Sequence, residues 1–161
     1  MLLLNEVDLS EKDFNKISQL VYDHCGINLH DGKKELVRTR LAKRLRLGKF
    51  KTFPEYMKHV INDESGLEFS ILIDSLSTNI TSFFREPQHF AFIKEQFLPK
   101  LVEKKKKKDE FKIRAWSAGC SSGEEPYSIA ISLLDFLQGR GRWDVKLLAT
   151  DISKSILEIA K

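Results

Sequence analysis

The chain has 161 residues, of which 42% are hydrophobic and 31% are charged, a balance typical of globular proteins rather than disordered ones. Its apolar runs are shorter than the roughly 18 residues of a membrane-spanning helix, and the opening Met1–Leu4 run is too short for a signal peptide. Cys25 and Cys120 are far apart in sequence, and neither the cysteines nor the four histidines have metal-binding spacing. We therefore expect a cytoplasmic protein without a metal site, a disulfide framework or membrane insertion.

The net charge of +4 comes from one segment of the chain. Between Lys33 and Lys51 there are nine basic residues and one acidic residue, whereas the rest of the chain is slightly acidic. Such a concentrated positive charge favours an acidic partner. Charge alone leaves open whether that partner is a nucleic acid, a phospholipid or a carboxylate-rich protein.

Helical periodicity dominates the first half of the chain. Ser10 and Asp13 resemble a capping box before apolar residues at helical spacing, and Gly26 is typical of a helix C-terminus. Two later helices are predicted, one beginning after Thr52 and one over residues 67–76. These patterns together predict an all-helical amino-terminal domain.

The basic segment predicts a further helix, which ends at Gly48. Its apolar residues form a narrow stripe at intervals of four: Val37, Leu41 and Leu45. At about 100° per residue, three basic side chains project away from this stripe: Arg40, Lys43 and Arg46. The predicted helix therefore has one thin packing face and one broad cationic face.

The pattern changes after a polar segment over residues 77–86. Pro87 begins a helix that runs into five lysines at 104–108, which we interpret as a solvated helix end or a linker rather than as a functional basic patch. We accordingly predict a helical domain over 1–86 and a connecting helix with a lysine-rich linker over 87–110.

Residues 111–161 predict the beginning of a parallel α/β sheet. Alternation over 111–116 predicts a strand, and a buried-looking run over 145–150 predicts a second strand. A helix over 124–137 lies between them, and Ser153 begins another helix. Two strands cannot bury both faces of such a sheet, so the sequence predicts a truncated domain.

A small-residue loop joins the first strand to its helix, where α/β sheets bind nucleotides. Gly119 and Gly123 permit close backbone approach there. The loop is not a P-loop, and Glu124 and Glu125 place carboxylates where a phosphate would bind. A ligand with a positive group fits better, although both glutamates could simply complement the amino end of the helix.

Asp151 directly follows the second strand. A carboxylate in this place can accept hydrogen bonds from both ribose hydroxyls of an adenosine ligand, or it can cap the helix that begins near Ser153. The glycine loop, the acidic first turn and Asp151 together favour an adenosine ligand without phosphates. S-adenosylmethionine, which has a ribose, an ammonium, a carboxylate and a sulfonium, matches that description.

Three separate motifs resemble the CheR-type chemotaxis receptor methyltransferases. Residues Ala115–Ala130 resemble the S-adenosylmethionine loop of that family, and Leu76–Glu86 resembles its second signature. The basic stretch Arg38–Arg46 resembles its amino-terminal domain. The resemblance implies an α plus α/β fold, in which an all-helical domain precedes the first strands of a Rossmann-like methyltransferase domain. We expect this chain alone to be incomplete, inactive and prone to self-association through exposed sheet edges.

The resemblance also implies which residues bind the cofactor: Asn79, Thr81, Arg85, Gly119, Glu125 and Asp151. Arg85 would pair with the methionine carboxylate or act in positioning, Glu125 would face the ammonium, and Asp151 the ribose. Asn79 could instead cap a helix, and Arg85 could pair with another surface residue. Of the adjacent Phe83 and Phe84, one is expected in the core and the other against the cofactor. We expect Cys120 to be a small loop residue rather than a nucleophile.

The implied function is methylation of glutamate side chains on the cytoplasmic domains of chemoreceptors, for sensory adaptation, with S-adenosylhomocysteine as product. A glutamate acceptor is already ionised near pH 7, so no general base is expected. Acidic receptor methylation helices would dock on the basic helix, through Arg40, Lys43, Arg44 and Arg46. The alternatives are a nucleic-acid methyltransferase, for which base-stacking aromatics are missing, and a non-catalytic basic binding module.

Overall fold

A computed structural model describes residues 7–161, and the Met1–Leu4 run lies outside the described residues. The chain forms two compact units, which divide between Thr78 and Asn79. Across the described range, no helix combines the length and the apolarity that a bilayer crossing requires.

The first unit consists of helices whose ends follow from local capping. The four α-helices are α1 (Glu11–Cys25), α2 (Lys34–Gly48), α3 (Phe53–Asn62) and α4 (Leu67–Leu76), with a 3-10 turn at Asp31–Lys33. The Ser10 and Thr52 hydroxyls accept hydrogen bonds from the third residue after each of them, and Gly26 ends α1 with a φ of 71°. These caps confirm the predicted helices. At the end of α2 the left-handed residue is Lys49, directly after Gly48.

The apolar faces of these helices meet in one core. Its most deeply buried members include Phe14, Ile17, Val21, Val37, Leu41, Leu45, Phe53, Tyr56 and Leu72. One charged pair also lies in this layer, because Glu68 of α4 is only 6% exposed. Both Glu68 oxygens accept hydrogen bonds from Arg44 of α2, at 2.6 and 2.5 Å. This bidentate bond raises the pKa of Arg44 and holds α2 against α4.

The second unit combines helices with a small sheet. Its elements are α5 (Pro87–Phe92), a π-helical segment (Ile93–Phe97), α6 (Leu98–Lys106), β1 (Lys112–Ala118), α7 (Glu124–Leu137), β2 (Asp144–Thr150) and α8 (Lys154–Ala160). The strands are parallel, with Lys112 opposite Asp144 and Ala118 opposite Thr150. The π-helical segment interrupts the predicted continuous helix just before Pro99, which lacks an N–H and crowds the carbonyl of Glu95.

One face of the sheet carries the second core. Ile113 of β1 packs with Leu98 and Val102 of α6 and with Leu133 and Leu137 of α7. The opposite face is uncovered within the described residues, and Trp116 there is 66% exposed. This arrangement agrees with an all-helical domain followed by the first strands of a Rossmann-like domain.

The division between the units differs from the boundary predicted after residue 86. The Asn79 carbonyl accepts a hydrogen bond from Ser121, and the Phe84 N–H donates to Ser128, so both residues are bonded within the second unit. Helix α6 forms part of the second core and continues to Lys106. The first three lysines of the run are therefore the end of that helix, and Lys107 and Lys108 follow it in a turn.

We expect Glu68→Gln to destabilise the first unit by about 3 kcal/mol, because it leaves the Arg44 charge without its buried partner. The matched control is Glu35→Gln, which removes the exposed ion pair with Arg38 and should cost less than about 1 kcal/mol. Urea unfolding of the two variants measures the difference. Equal losses of unfolding free energy would contradict a buried role for Glu68.

Candidate functional site

The candidate site lies at the carboxyl ends of β1 and β2. Because the strands are parallel, both ends meet at the same edge of the sheet. The N–H groups of Gly119 and Cys120 both donate to the Thr150 carbonyl, at 2.8 and 2.9 Å. The loop after β1 is thereby fixed beside Asp151, the first residue after β2.

The loop takes a left-handed conformation at three positions. Gly119 and Gly123 have φ values of 86° and 103°, which glycine adopts without a steric penalty. Ser121 has a φ of 49°, which is unfavourable for a residue with a Cβ. Two hydrogen bonds hold Ser121 in place, since its N–H donates to Asp151 and its hydroxyl donates to the Asn79 carbonyl. Non-glycine residues held in this region are concentrated at functional sites.

Asp151 connects the loop after β1 to the start of the next helix. Its Oδ2 accepts from the Ser121 N–H at 2.8 Å, and its Oδ1 accepts from the Ser153 N–H at 2.9 Å. The cap of α8 is Ser153, whose hydroxyl accepts from the Ile156 N–H. The alternative interpretation of Asp151 as this helix cap is therefore wrong. Its carboxylate instead stands at the strand end with lone pairs remaining on both oxygens.

The two adjacent glutamates have different surroundings. Oε1 of Glu125 accepts a hydrogen bond of 2.6 Å from the hydroxyl of Ser117, which is 1% exposed. Glu124 accepts from Ser122, two residues before it, and so is bonded within its own turn. Glu125 is thus the carboxylate that is bonded to the buried end of β1.

Residues 79–86 form a segment that is bonded to α7 and to the loop after β1. The Phe84 N–H donates to the Ser128 hydroxyl at 2.9 Å, and the Phe84 ring packs edge-on against Phe90. Phe83 and Phe84 are 59% and 40% exposed, so the expectation that one of them lies in the core is wrong. Phe84 and Glu86 both have positive φ values, of 54° and 58°. Backbone strain therefore accompanies this segment as well as the loop.

Three residues of this segment are predicted to bind the cofactor: Asn79, Thr81 and Arg85. Arg85 is exposed and donates from Nη1 to the Ile80 carbonyl at 2.8 Å, so its guanidinium folds back on its own segment. Thr81 is half-buried, and Asn79 contributes its carbonyl to the Ser121 bond. Hydrogen bonds through Ser121 connect Asn79 with Asp151, whereas Glu125 joins the strand end through Ser117.

Sequence reasoning did not identify Ser117 and Ser121 as site residues. Ser117 is buried and orients Glu125, and Ser121 joins the loop to both Asp151 and Asn79. The available signal was their position, since one precedes the loop glycines and the other lies between them. Serine is too common in loops for that position alone to indicate a role.

Cys120 lies inside the same loop and is 1% exposed. Burial, followed by the negative charge of Asp151, raises the pKa of its thiol. The thiol therefore stays protonated near neutral pH, where only a thiolate would be a good nucleophile. Within residues 7–161 no cluster of three or more metal-ligating side chains is present.

The four basic residues predicted to dock a substrate fall into two pairs in the first unit. Arg40 donates to the carbonyls of Leu76 and Ser77 and to the Thr78 hydroxyl. Arg44 is bonded to Glu68. Lys43 and Arg46 are exposed, and neither forms an ion pair with another part of the described chain. Within residues 7–161, the second pair of basic side chains is therefore exposed to solvent without an ion-pair partner.

Comparison with known proteins assigns a family to each unit. Residues 12–77 match the model described as CheR methyltransferase, all-alpha domain. Residues 79–161 match the model described as CheR methyltransferase, SAM binding domain, so S-adenosylmethionine is the cofactor of this part. The two matches meet where the two compact units divide.

Full-length relatives give the same family. The chain is 42% identical over 156 residues to the chemotaxis protein methyltransferase of Borreliella burgdorferi, covering 96% of this chain and 55% of the relative. It is 40% identical over 154 residues to the proteins of that name from Salmonella typhimurium and Escherichia coli, covering 95% of this chain and 50% of each relative. The chain therefore spans about half the length of the curated relatives it matches.

Proposed function

Because this chain belongs to the CheR methyltransferase family, we propose that it forms part of an enzyme that methylates glutamate side chains on chemoreceptor cytoplasmic domains. The observation that carries the proposal is a pair of fixed carboxylates at one edge of the parallel sheet. Glu125 of α7 is bonded to Ser117 of β1, and Asp151 directly follows β2. They suit a ligand with a positive group and paired hydroxyls better than they suit a phosphate.

The residues present fit S-adenosylmethionine. Glu125 keeps Oε2 available for the methionine ammonium while Ser117 holds Oε1. Asp151 uses each oxygen for one backbone N–H and retains lone pairs that can accept from the ribose hydroxyls. Gly119, which has open space where a Cβ would lie, allows the adenosine to approach the backbone.

The segment over 79–86 supplies the complementary charge in this proposal. Arg85 is exposed and held by one hydrogen bond to the Ile80 carbonyl, which it can exchange for a bidentate pair with the methionine carboxylate. Asn79 and Thr81 lie on the same segment and would contact the cofactor beside Arg85. The ammonium of the ligand then faces Glu125, and its carboxylate faces Arg85.

When bound, S-adenosylmethionine supplies a methyl group that is activated by a positively charged sulfur. The residues of this chain bind and orient that donor. No side chain needs to remove a proton, because a glutamate acceptor is already ionised near neutral pH. The rate advantage would come from holding the acceptor oxygen in line with the methyl group. Cys120 takes no part, since its thiol stays protonated.

Helix α2 would attract the acidic methylation helices of a receptor. Lys43 and Arg46 are the members of the predicted docking set whose charges are exposed and unpaired within residues 7–161. Arg40 and Arg44 lie on the same helix, but their guanidinium groups are engaged inside the first unit. We therefore assign direct docking to Lys43 and Arg46.

The reaction is tested with the longest native form of the protein, methyl-labelled S-adenosylmethionine and an acidic receptor fragment. We expect label on glutamate that is lost in mild alkali, because a carboxyl methyl ester hydrolyses under those conditions. Label that survives alkali, or that appears on nucleic acid supplied in place of the receptor fragment, would contradict the proposed acceptor.

The role of Glu125 is tested by calorimetric titration of S-adenosylhomocysteine, which retains the ammonium. Glu125→Gln keeps an acceptor for Ser117 but removes the charge, so Kd should rise by about 10- to 100-fold, as expected for one charged hydrogen bond. Glu124→Gln is the control, and its Kd should stay within about threefold of the wild type. An equal loss in both variants would show that only the helix charge matters.

The docking surface is tested with the double variant Lys43→Ala, Arg46→Ala. Binding of the receptor fragment should weaken at low salt, and the difference from wild type should shrink as salt rises, because exposed charges are screened. The control is Lys12→Ala, Lys16→Ala, which removes the same charge from α1. If the control weakens binding equally, net charge rather than α2 is responsible.

A further inference from the structure

Arg40 contacts the end of the first unit through three acceptors. Its Nη1 donates to the Leu76 carbonyl at 2.5 Å and to the Ser77 carbonyl at 3.0 Å, and its Nη2 donates to the Thr78 hydroxyl at 2.9 Å. These acceptors are the last residue of α4 and the two residues that follow it. One side chain of α2 thus holds the chain as it leaves α4.

Capping alone does not account for this contact. A cation at a helix C-terminus satisfies the last carbonyls and complements the helix dipole, and the bond to Leu76 does so. The bonds to Ser77 and Thr78 lie beyond the helix and stabilise no helical turn. Their effect is to fix the backbone and a side chain over residues 77–78. Only arginine offers enough donors in one plane for all three acceptors.

The next residue along the chain is Asn79, where the candidate site begins. In the second unit its carbonyl accepts from the Ser121 hydroxyl, and the Ser121 N–H donates to Asp151. The peptide bond between Thr78 and Asn79 therefore joins a residue held by Arg40 to a residue held by the cofactor loop. Each contact lies within its own unit, and the covalent chain connects them.

We propose that Arg40 is a positioning residue for the cofactor, because it restricts the start of the segment that carries Asn79, Thr81 and Arg85. This inference rests on the proposed cofactor role of that segment. A segment that is already ordered loses less conformational entropy when a ligand binds, so its affinity is higher. The role replaces direct substrate docking for Arg40, since its guanidinium is already engaged.

The experiment compares Arg40→Ala with Arg38→Ala, since Arg38 lies on the same helix and forms an ion pair with the exposed Glu35. Calorimetric titration with S-adenosylhomocysteine should show Kd raised at least about tenfold in Arg40→Ala, equivalent to about 1.4 kcal/mol. Arg38→Ala should remain within about twofold of wild type. Hydrogen exchange without ligand should be faster over residues 77–84 in Arg40→Ala only.

Two further variants separate positioning from stability. Glu68→Gln weakens the first unit without touching Arg40, and its Kd should stay near the wild-type value despite the lower stability. Thr78→Val removes one of the three acceptors at an exposed position and should raise Kd about two- to threefold. If Arg40→Ala does not fold, Thr78→Val and Arg40→Lys decide the question in its place.

The outcomes distinguish this inference from the proposed function. Wild-type binding together with unchanged Kd in the variants of Arg40 and Thr78 would overturn the inference and leave the proposed function intact. An equal loss of affinity in Glu68→Gln would also overturn the inference, because affinity would then depend on the stability of the first unit rather than on Arg40. Absence of binding by the wild type would overturn the cofactor role of the segment, and with it both proposals.

Discussion

Parallel pairing of β1 and β2 is the constraint on which the candidate site depends. It brings two strand ends to one edge, where the Thr150 carbonyl accepts both N–H groups at the start of the loop. The loop then turns so that the Ser121 N–H donates to Asp151. In the first turn of α7, Glu125 accepts a hydrogen bond from Ser117 near the end of β1. No part of this arrangement is fixed by sequence neighbours alone, since 30 residues separate Ser121 from Asp151.

Hydroxyl groups of serine carry most of the connections within the site. The Ser117 hydroxyl orients Glu125, the Ser121 hydroxyl donates to the Asn79 carbonyl, and the Ser128 hydroxyl accepts from the Phe84 N–H, while the bond from Ser121 to Asp151 uses its backbone N–H. A hydroxyl can donate and accept within one small volume, so it can join two backbone groups or a backbone group and a carboxylate without adding charge. The serine bonds thus leave Glu125 and Asp151 with their negative charges, which are the charges proposed to meet the ligand.

Much of the fold could be predicted because its signals are local. The caps at Ser10 and Thr52 and the left-handed Gly26 act within a few residues, and the change from helical to alternating period marks β1 directly. The position of Asp151 at the edge of the sheet could be predicted because it directly follows a predicted strand. Two of the three partners of Arg40 could not be predicted, because they are backbone carbonyls 36 and 37 residues away and have no side-chain pattern. The division after Thr78 was not predicted for the same reason, because it depends on hydrogen bonds of the Asn79 and Phe84 backbone groups within the second unit.

The ion pairs formed by the basic segment, residues 33–51, affect the rate at which a proposed acidic partner would associate. Of its nine basic residues, Lys34, Arg38 and Arg44 pair with carboxylates of Glu11, Glu35 and Glu68. A pair is seen from a distance as a dipole, whose field decays faster than that of a single charge. The long-range attraction, and hence the gain in association rate, therefore comes from the six other cations. Glu68 in effect removes Arg44 from the steering field while it keeps α2 in place.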